Sequence, residues 1–222
     1  MPFRFGILCF PAVQQLDLTG PYEVFASAQN TQVDLVWKTT DPLRASTGLR
    51  LTPDVTFEDA PAYDVICVPG GSGVNPLLKD EDTLNFVRAQ AKTARFITSV
   101  CTGALVLGQA GLLKGKRATT HWNAIDLLER VGAIAVKERI VHDGNLITAG
   151  GITSGIDFGL AVIAQLFGRD EAETIQLSLE YAPEPPFDAG LPERVRPEIL
   201  AAARHRLARS RAEREALLKP AK

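Results

Sequence analysis

RFITSVCTGALVLGQA, residues 95–110, is the stretch that decides the fold. Residues 95–100 are rich in β-branched and aromatic side chains and read as a buried strand. Residues 104–110 are apolar and read as a buried helix, and only Cys101-Thr102-Gly103 separates the two. Ser99-Val100-Cys101-Thr102-Gly103 has the layout of a nucleophile elbow: small residue, any residue, nucleophile, any residue, glycine. Small flanking side chains let the backbone swing from strand to helix and expose the central residue. The start of the helix below favours negative charge, and the thiolate is the nucleophilic form of cysteine. A free cysteine is more often a small buried hydrophobe, so it is this turn that singles out Cys101. Cys9 and Cys67 lie inside apolar strands and read as core.

The same alternation extends in both directions. Residues 3–10 read as a first strand stopped by Pro11, followed by a loop over 11–21, a helix over 22–29 and a strand over 32–38. Residues 44–57 suggest a small excursion of paired strands. The apolar run 64–68 enters Pro69-Gly70-Gly71-Ser72-Gly73, a turn of unusual backbone freedom. Leu84, Val87, Ala91 and Ala94 then share one face of a helix over 80–94. Beyond the elbow the pattern predicts a short strand near 117–120 and an amphipathic helix carrying Ala124, Leu127, Leu128 and Val131. A hairpin around Asp143-Gly144-Asn145 comes next, then a mostly apolar helix ending near residue 167. Strands alternating with helices imply an α/β fold with a mostly parallel sheet sandwiched between helices, flavodoxin-like in class. Ligands bind such sheets beyond the carboxyl ends of the strands. Cys101, the Gly70–Gly73 turn and the loop after Phe10 all fall there.

A chain of 222 residues with three cysteines is no disulfide framework and points to a reducing, cytoplasmic setting. No secretory leader and no apolar run long enough for a membrane span is visible. The net charge of −2 conceals an asymmetry: residues 193–222 carry nine Lys/Arg against four Glu, leaving an acidic body. An acidic body argues against nucleic acid as a partner. The expected division is a catalytic domain over 1–192 and a basic helical extension over 193–222. In the extension, Leu200, Ala203 and Leu207 are spaced as one short amphipathic helix, too little for a helix-turn-helix.

Gly70 and Gly71 permit close approach, and the amides of Gly71 and Thr102 could face a substrate atom bonded to the sulfur; a plain strand-to-loop turn explains the same residues. Asp17, in Gln14-Gln15-Leu16-Asp17-Leu18-Thr19-Gly20-Pro21, is flanked by apolar residues. Burial would raise its pKa into a useful acid/base range; turn-making or capping is the structural alternative. Glu23 is the backup acid, with a solvated position as its ordinary fate. His121 reads as a hydrogen-bonded structural residue, and no pair of histidines has metal-ligand spacing.

Ala62-x-Asp64…Val68-Pro69-Gly70-Gly71, the 99–104 elbow, Leu112-Leu113-x-Gly115-x-x-Ala118-Thr119-Thr120-His121-Trp122 and Asp17-Leu18-x-Gly20-Pro21-x-Glu23 together resemble the ThiJ/PfpI superfamily, of the class I glutamine-amidotransferase-like fold. The resemblance covers about residues 3–190 and is strongest to the branch that hydrates isocyanides. It implies a homodimer acting on a small-molecule isocyanide with neither metal nor organic cofactor. It also implies Cys101 and Asp17 as the catalytic pair, with Thr102 orienting the acid or the water, and Gly70 and Gly71 lining the site. Peptidase relatives carry histidine after the cysteine, where Thr102 stands here. Glyoxalase and deglycase relatives use a glutamate that Asp17 replaces. Other relatives form the N-terminal, ligand-sensing half of AraC-type transcriptional regulators.

Overall fold

The computed structural model describes residues 2–218. The chain runs β1 (Phe3–Leu8), α1 (Gln15–Ser27), β2 (Thr31–Trp37), β3 (Leu43–Arg44), β4 (Arg50–Leu51), β5 (Val55–Thr56), β6 (Val65–Val68), α2 (Val74–Leu77), α3 (Glu81–Ala91), β7 (Phe96–Val100) and α4 (Gly103–Gln109). It continues through β8 (Arg117–Ala118), two 3-10 turns (Trp122–Leu127 and Glu129–Val131), β9 (Ile134–Ala135), β10 (Ile140–Asp143), β11 (Leu146–Ala149), α5 (Ser154–Phe167), α6 (Arg169–Ser178), a 3-10 turn (Pro192–Arg194) and α7 (Pro197–Leu217).

Seven strands form one sheet in the order β10-β11-β7-β6-β1-β2-β5, parallel except for the β10–β11 hairpin. The α/β class expected from the alternation is the fold observed. α1 and α5 pack together on one face, with α6 on α5; α3 and α4 cover the other. Because both faces are covered, central strands carry apolar residues without alternation: β6 (VICV) is buried at every position. Phe25 of α1 stacks on Phe5 of β1 at 4.5 Å and meets Phe158 of α5 edge-on at 6.0 Å, which locks helices to sheet.

The order reverses at β1. From there the chain moves outward to β2 on one side, and later to β6 and β7 on the other. The loops after β1 and β6 therefore diverge at this point. They are tied together by an isolated bridge between Val13 and Gly71, with Gln14 N donating to Gly70 O at 2.8 Å and Gly73 N to Ala12 O at 3.0 Å.

Two expectations need correction. Residues 11–21 are not all loop: α1 begins at Gln15 and passes through Pro21. Proline inside a helix removes a hydrogen bond and crowds the preceding turn, which is why the sequence suggested a break. Here Pro21 is buried against Gly155 of α5, so tertiary packing outweighs propensity. The stretch around Ala124–Val131 is two 3-10 turns rather than an amphipathic helix, ended by Gly132 at φ 81°.

Within residues 193–218, α7 (Pro197–Leu217) is laid along the body against α2 and the 122–127 turn. Leu200, Ala203 and Leu207 are half-buried, and the same stripe continues to the fully buried Arg214 and Leu218. Among the described residues no helix is long and apolar enough to cross a membrane.

Candidate active site

Cys101 sits at the turn between β7 and α4 with φ +55°, a left-handed conformation that a non-glycine residue adopts only under constraint. The constraint is visible. Its N–H donates to Ala149 O at 3.0 Å and Gly150 O at 2.8 Å, while its carbonyl accepts from Thr120 Oγ1 at 2.6 Å. The residues that admit the turn are small for a steric reason. A Cβ on Gly103 would run into the carbonyl oxygen of Val68, so only glycine starts α4 this close to β6. Thr120, whose hydroxyl pins the elbow, lay within a stretch quoted for the resemblance, but nothing in its spacing predicted this role.

Asp17 lies in the first turn of α1, fully buried. Its Oδ2 accepts from Gly70 N at 2.8 Å, and its Oδ1 is buried with no hydrogen bond among the described residues. The thiol of Cys101 stands against the same carboxyl group, so each perturbs the other's ionisation. Burial pushes the Asp17 pKa up from 3.8 to about 7, although the Gly70 amide and the Cys101 thiol pull it down. Burial and then the Asp17 charge push the Cys101 thiol well above its ordinary range, while the Thr102 amide, which points at the sulfur, and the charge of Arg214 draw it down. The start of α4 therefore does not make a thiolate by itself, as the elbow alone had suggested.

The two candidate amides, of Gly71 and Thr102, and the Gly70 amide beside them divide their work. Thr102 N–H faces the sulfur, Gly71 N–H donates to Thr102 Oγ1 at 3.2 Å, and Gly70 N–H holds Asp17. Gly70 and Gly71 thus position the acid and Thr102. A Cβ at Gly70 would lie 2.6 Å from Thr102 N, 2.7 Å from Thr102 Oγ1 and 2.8 Å from Asp17 Oδ2. Glycine is what lets the acid, the loop and the elbow meet.

The other candidates are engaged elsewhere or lie off the elbow. Glu23 is exposed on α1, on a cleft of about 250 Å³ lined also by Leu16, Gly20, Ile156 and Tyr181, none of them at the elbow. His121 accepts from Asn123 N at 3.2 Å and caps the turn that follows. Burial, helped by the Arg214 charge, lowers its pKa to about 4, so it is neutral. Cys9, just past the end of β1, and Cys67 of β6 are buried, with thiols pushed up to about 12 by burial. Arg214 is the residue that sequence reading missed: it is 5% exposed, and its charge reaches Cys101 and His121 from the C-terminal helix. The spacing from Ala203 and Leu207 to 214 was its only signal in the sequence.

A doubly wound α/β sheet, with a cysteine on an elbow after the strand next to its switch point and a buried carboxyl group against the thiol, defines the class of this protein. The chain belongs to the DJ-1/PfpI family, whose model matches residues 4–165. It is 60% identical over 210 residues to the isonitrile hydratase of Pseudomonas putida, covering 95% of this chain and 92% of that one. A crystal structure of a ThiJ/PfpI family protein from Pseudomonas syringae superposes with a TM-score of 0.95 at 38% identity, over 98% of this chain and 91% of the other. The HTH-type transcriptional regulator GbdR of Pseudomonas aeruginosa is 35% identical over 133 residues, 59% of this chain and 36% of the regulator.

Proposed function

We propose that this protein is an isonitrile hydratase, converting R–N≡C and water to R–NH–CHO, with Cys101 as nucleophile and Asp17 as the proton carrier. The observation that carries the reading is the buried Asp17 carboxyl set against the Cys101 thiol on its strained turn. The near full-length likeness to an isonitrile hydratase supports the substrate.

The pair works because it is dry. Two neighbouring anions in a buried site repel, so above about pH 7 the pair keeps a single shared proton. With that proton on the carboxyl, the sulfur is a thiolate beside an acid. The sulfur bonds to the terminal carbon of the isocyanide and the Asp17 proton passes to the same carbon, leaving R–N=CH–S–Cys101. Asp17, now a carboxylate, takes a proton from water as its oxygen bonds to that carbon; the nitrogen is protonated and the C–S bond breaks. The formamide leaves and the pair regains its proton. Atoms and charges balance with water alone, without oxidation or reduction. Covalent catalysis here divides one difficult addition into two easier ones. Thr102, fixed by Gly71, directs its amide at the sulfur throughout.

The same reading includes a homodimer in the cytoplasm. Leu177, Phe187 and Leu191 are exposed in and just after α6, as a surface covered by a second copy requires. The deciding experiment incubates the purified protein with cyclohexyl isocyanide. N-cyclohexylformamide should form, and Cys101→Ala should abolish it. Turnover of methylglyoxal with none of the isocyanide would replace this reading with a glyoxalase. Sedimentation equilibrium tests the dimer.

A further inference from the structure

The stripe of α7 that faces the body ends in a buried cation. Arg214 is 5% exposed, its Nη2 donates to Ser210 Oγ at 3.2 Å, and its Nε is buried with no partner among the described residues. A guanidinium taken from water with one neutral hydrogen bond is expensive, and such groups are kept where their charge is used. We propose that α7 is a working part of the Cys101 site, and that Arg214, which it delivers, is a positioning residue whose fixed positive charge draws the site's negative charge onto the sulfur. This inference rests on Cys101 being the nucleophile.

The placement of α7 is specified by polar contacts on both sides of Arg214. Asn75 of α2 donates through Nδ2 to Ser210 O at 3.0 Å and to Glu213 Oε2 at 3.2 Å. Arg211 bonds both oxygens of Asp126 at 3.0 and 2.7 Å, and Arg130 reaches Glu215 O at 3.2 Å. Leu218 closes the end as a buried apolar plug. These bonds hold the helix so that Arg214 faces inward.

The charges around it explain what it does there. Of the groups that bear on Arg214, burial disfavours its charge most, and a Cys101 thiolate favours it; Arg211 opposes and Glu213 assists. The Glu213 carboxylate is itself turned to Asn75 and Arg209. His121 is neutral. Facing the sulfur, Asp17 of α1 opposes its ionisation, while the Thr102 amide and Arg214 favour it. Arg214 shifts Cys101 and not Asp17. The pair's single negative charge can sit on either partner, and a permanent cation acting on one of them tips it toward the sulfur, the form that attacks. Arginine suits this task because it does not deprotonate.

Alkylation of Cys101 by anionic iodoacetate and by neutral iodoacetamide, located by mass spectrometry, tests the charge apart from the fold. The ratio of the two rates cancels the thiolate fraction. In the native protein that ratio should exceed that of a small free thiol about tenfold. Arg214→Gln should abolish the excess and slow iodoacetamide about tenfold at neutral pH, whereas Arg214→Lys should keep most of both. A folded Arg214→Gln protein with native ratio and native pH profile overturns the inference. If that variant does not fold, a native ratio at or below that of the free thiol overturns it. Failure of the parent reading looks different: Cys101 resists both reagents and Cys101→Ala still turns over isocyanide.

Discussion

Replacing Asp17 by asparagine should destroy activity and, above neutrality, make the protein more stable. The native carboxyl is fully buried and keeps its proton up to about pH 7, against 3.8 for an ordinary aspartate. Below that ordinary value folded and unfolded chains both carry the proton, and Asp17 has no effect on the pH dependence. Between there and about pH 7 only the folded chain holds it, so unfolding releases a proton and stability falls as pH rises. At ~1.4 kcal/mol per unit, the cost at alkaline pH reaches about 4 kcal/mol. Asparagine keeps the acceptor for the Gly70 amide but puts an NH₂ group where Oδ1 has no partner, costing ~1–3 kcal/mol at every pH. Asp17→Asn should therefore be the weaker protein near about pH 4, and the stronger by ~1–3 kcal/mol at about pH 8.5, the two curves crossing between. Urea unfolding at a series of pH values reads this directly. Parallel curves for the two proteins refute the reasoning, because they mean the folded state holds no extra proton at Asp17. In the same preparations turnover should fall by ~10²–10⁴, the range for losing a general acid/base.

Several other outcomes are expected of the same site. Native kcat/KM should rise with pH through about 7, as the pair loses its second proton, and Asp17→Asn should lack that limb; a native profile flat from about pH 5 to 9 contradicts the shared-proton scheme. Thr102→Val leaves the Gly71 amide without its hydroxyl partner and should cost ~1–3 kcal/mol in thermal or urea unfolding together with lost turnover. Gly70→Ala forces a methyl between Asp17 and Thr102; an acid displaced by about 1 Å should lower kcat/KM ~10²-fold, while unfolding shows a loss of only ~1–3 kcal/mol.

Much of this was legible in the sequence because the signals are local. Continuous apolar runs such as VICV report a strand buried on both faces, and their alternation with helices defines the sheet class. Ser99–Gly103 announces its own turn, since sterics allow few residues in so tight a junction. What resisted reading was set at long range. Pro21 argued for a loop until its packing on Gly155 showed why the helix runs through it and puts Asp17 in its first turn. Gly70 and Asp17, far apart in the chain, meet only because β1 and β6 are neighbours at the switch point.

The chain's local pattern by itself determined the layered α/β class, the elbow and the identity of the nucleophile candidate. Only tertiary structure decided which carboxyl group lies beside the Cys101 thiol, which amides are already engaged, and that an arginine from the last helix adds its charge. The physical reason is one of range. Backbone sterics and hydrophobic periodicity act over a few residues, whereas ionisation in a dry site depends on whichever charges the whole fold brings near.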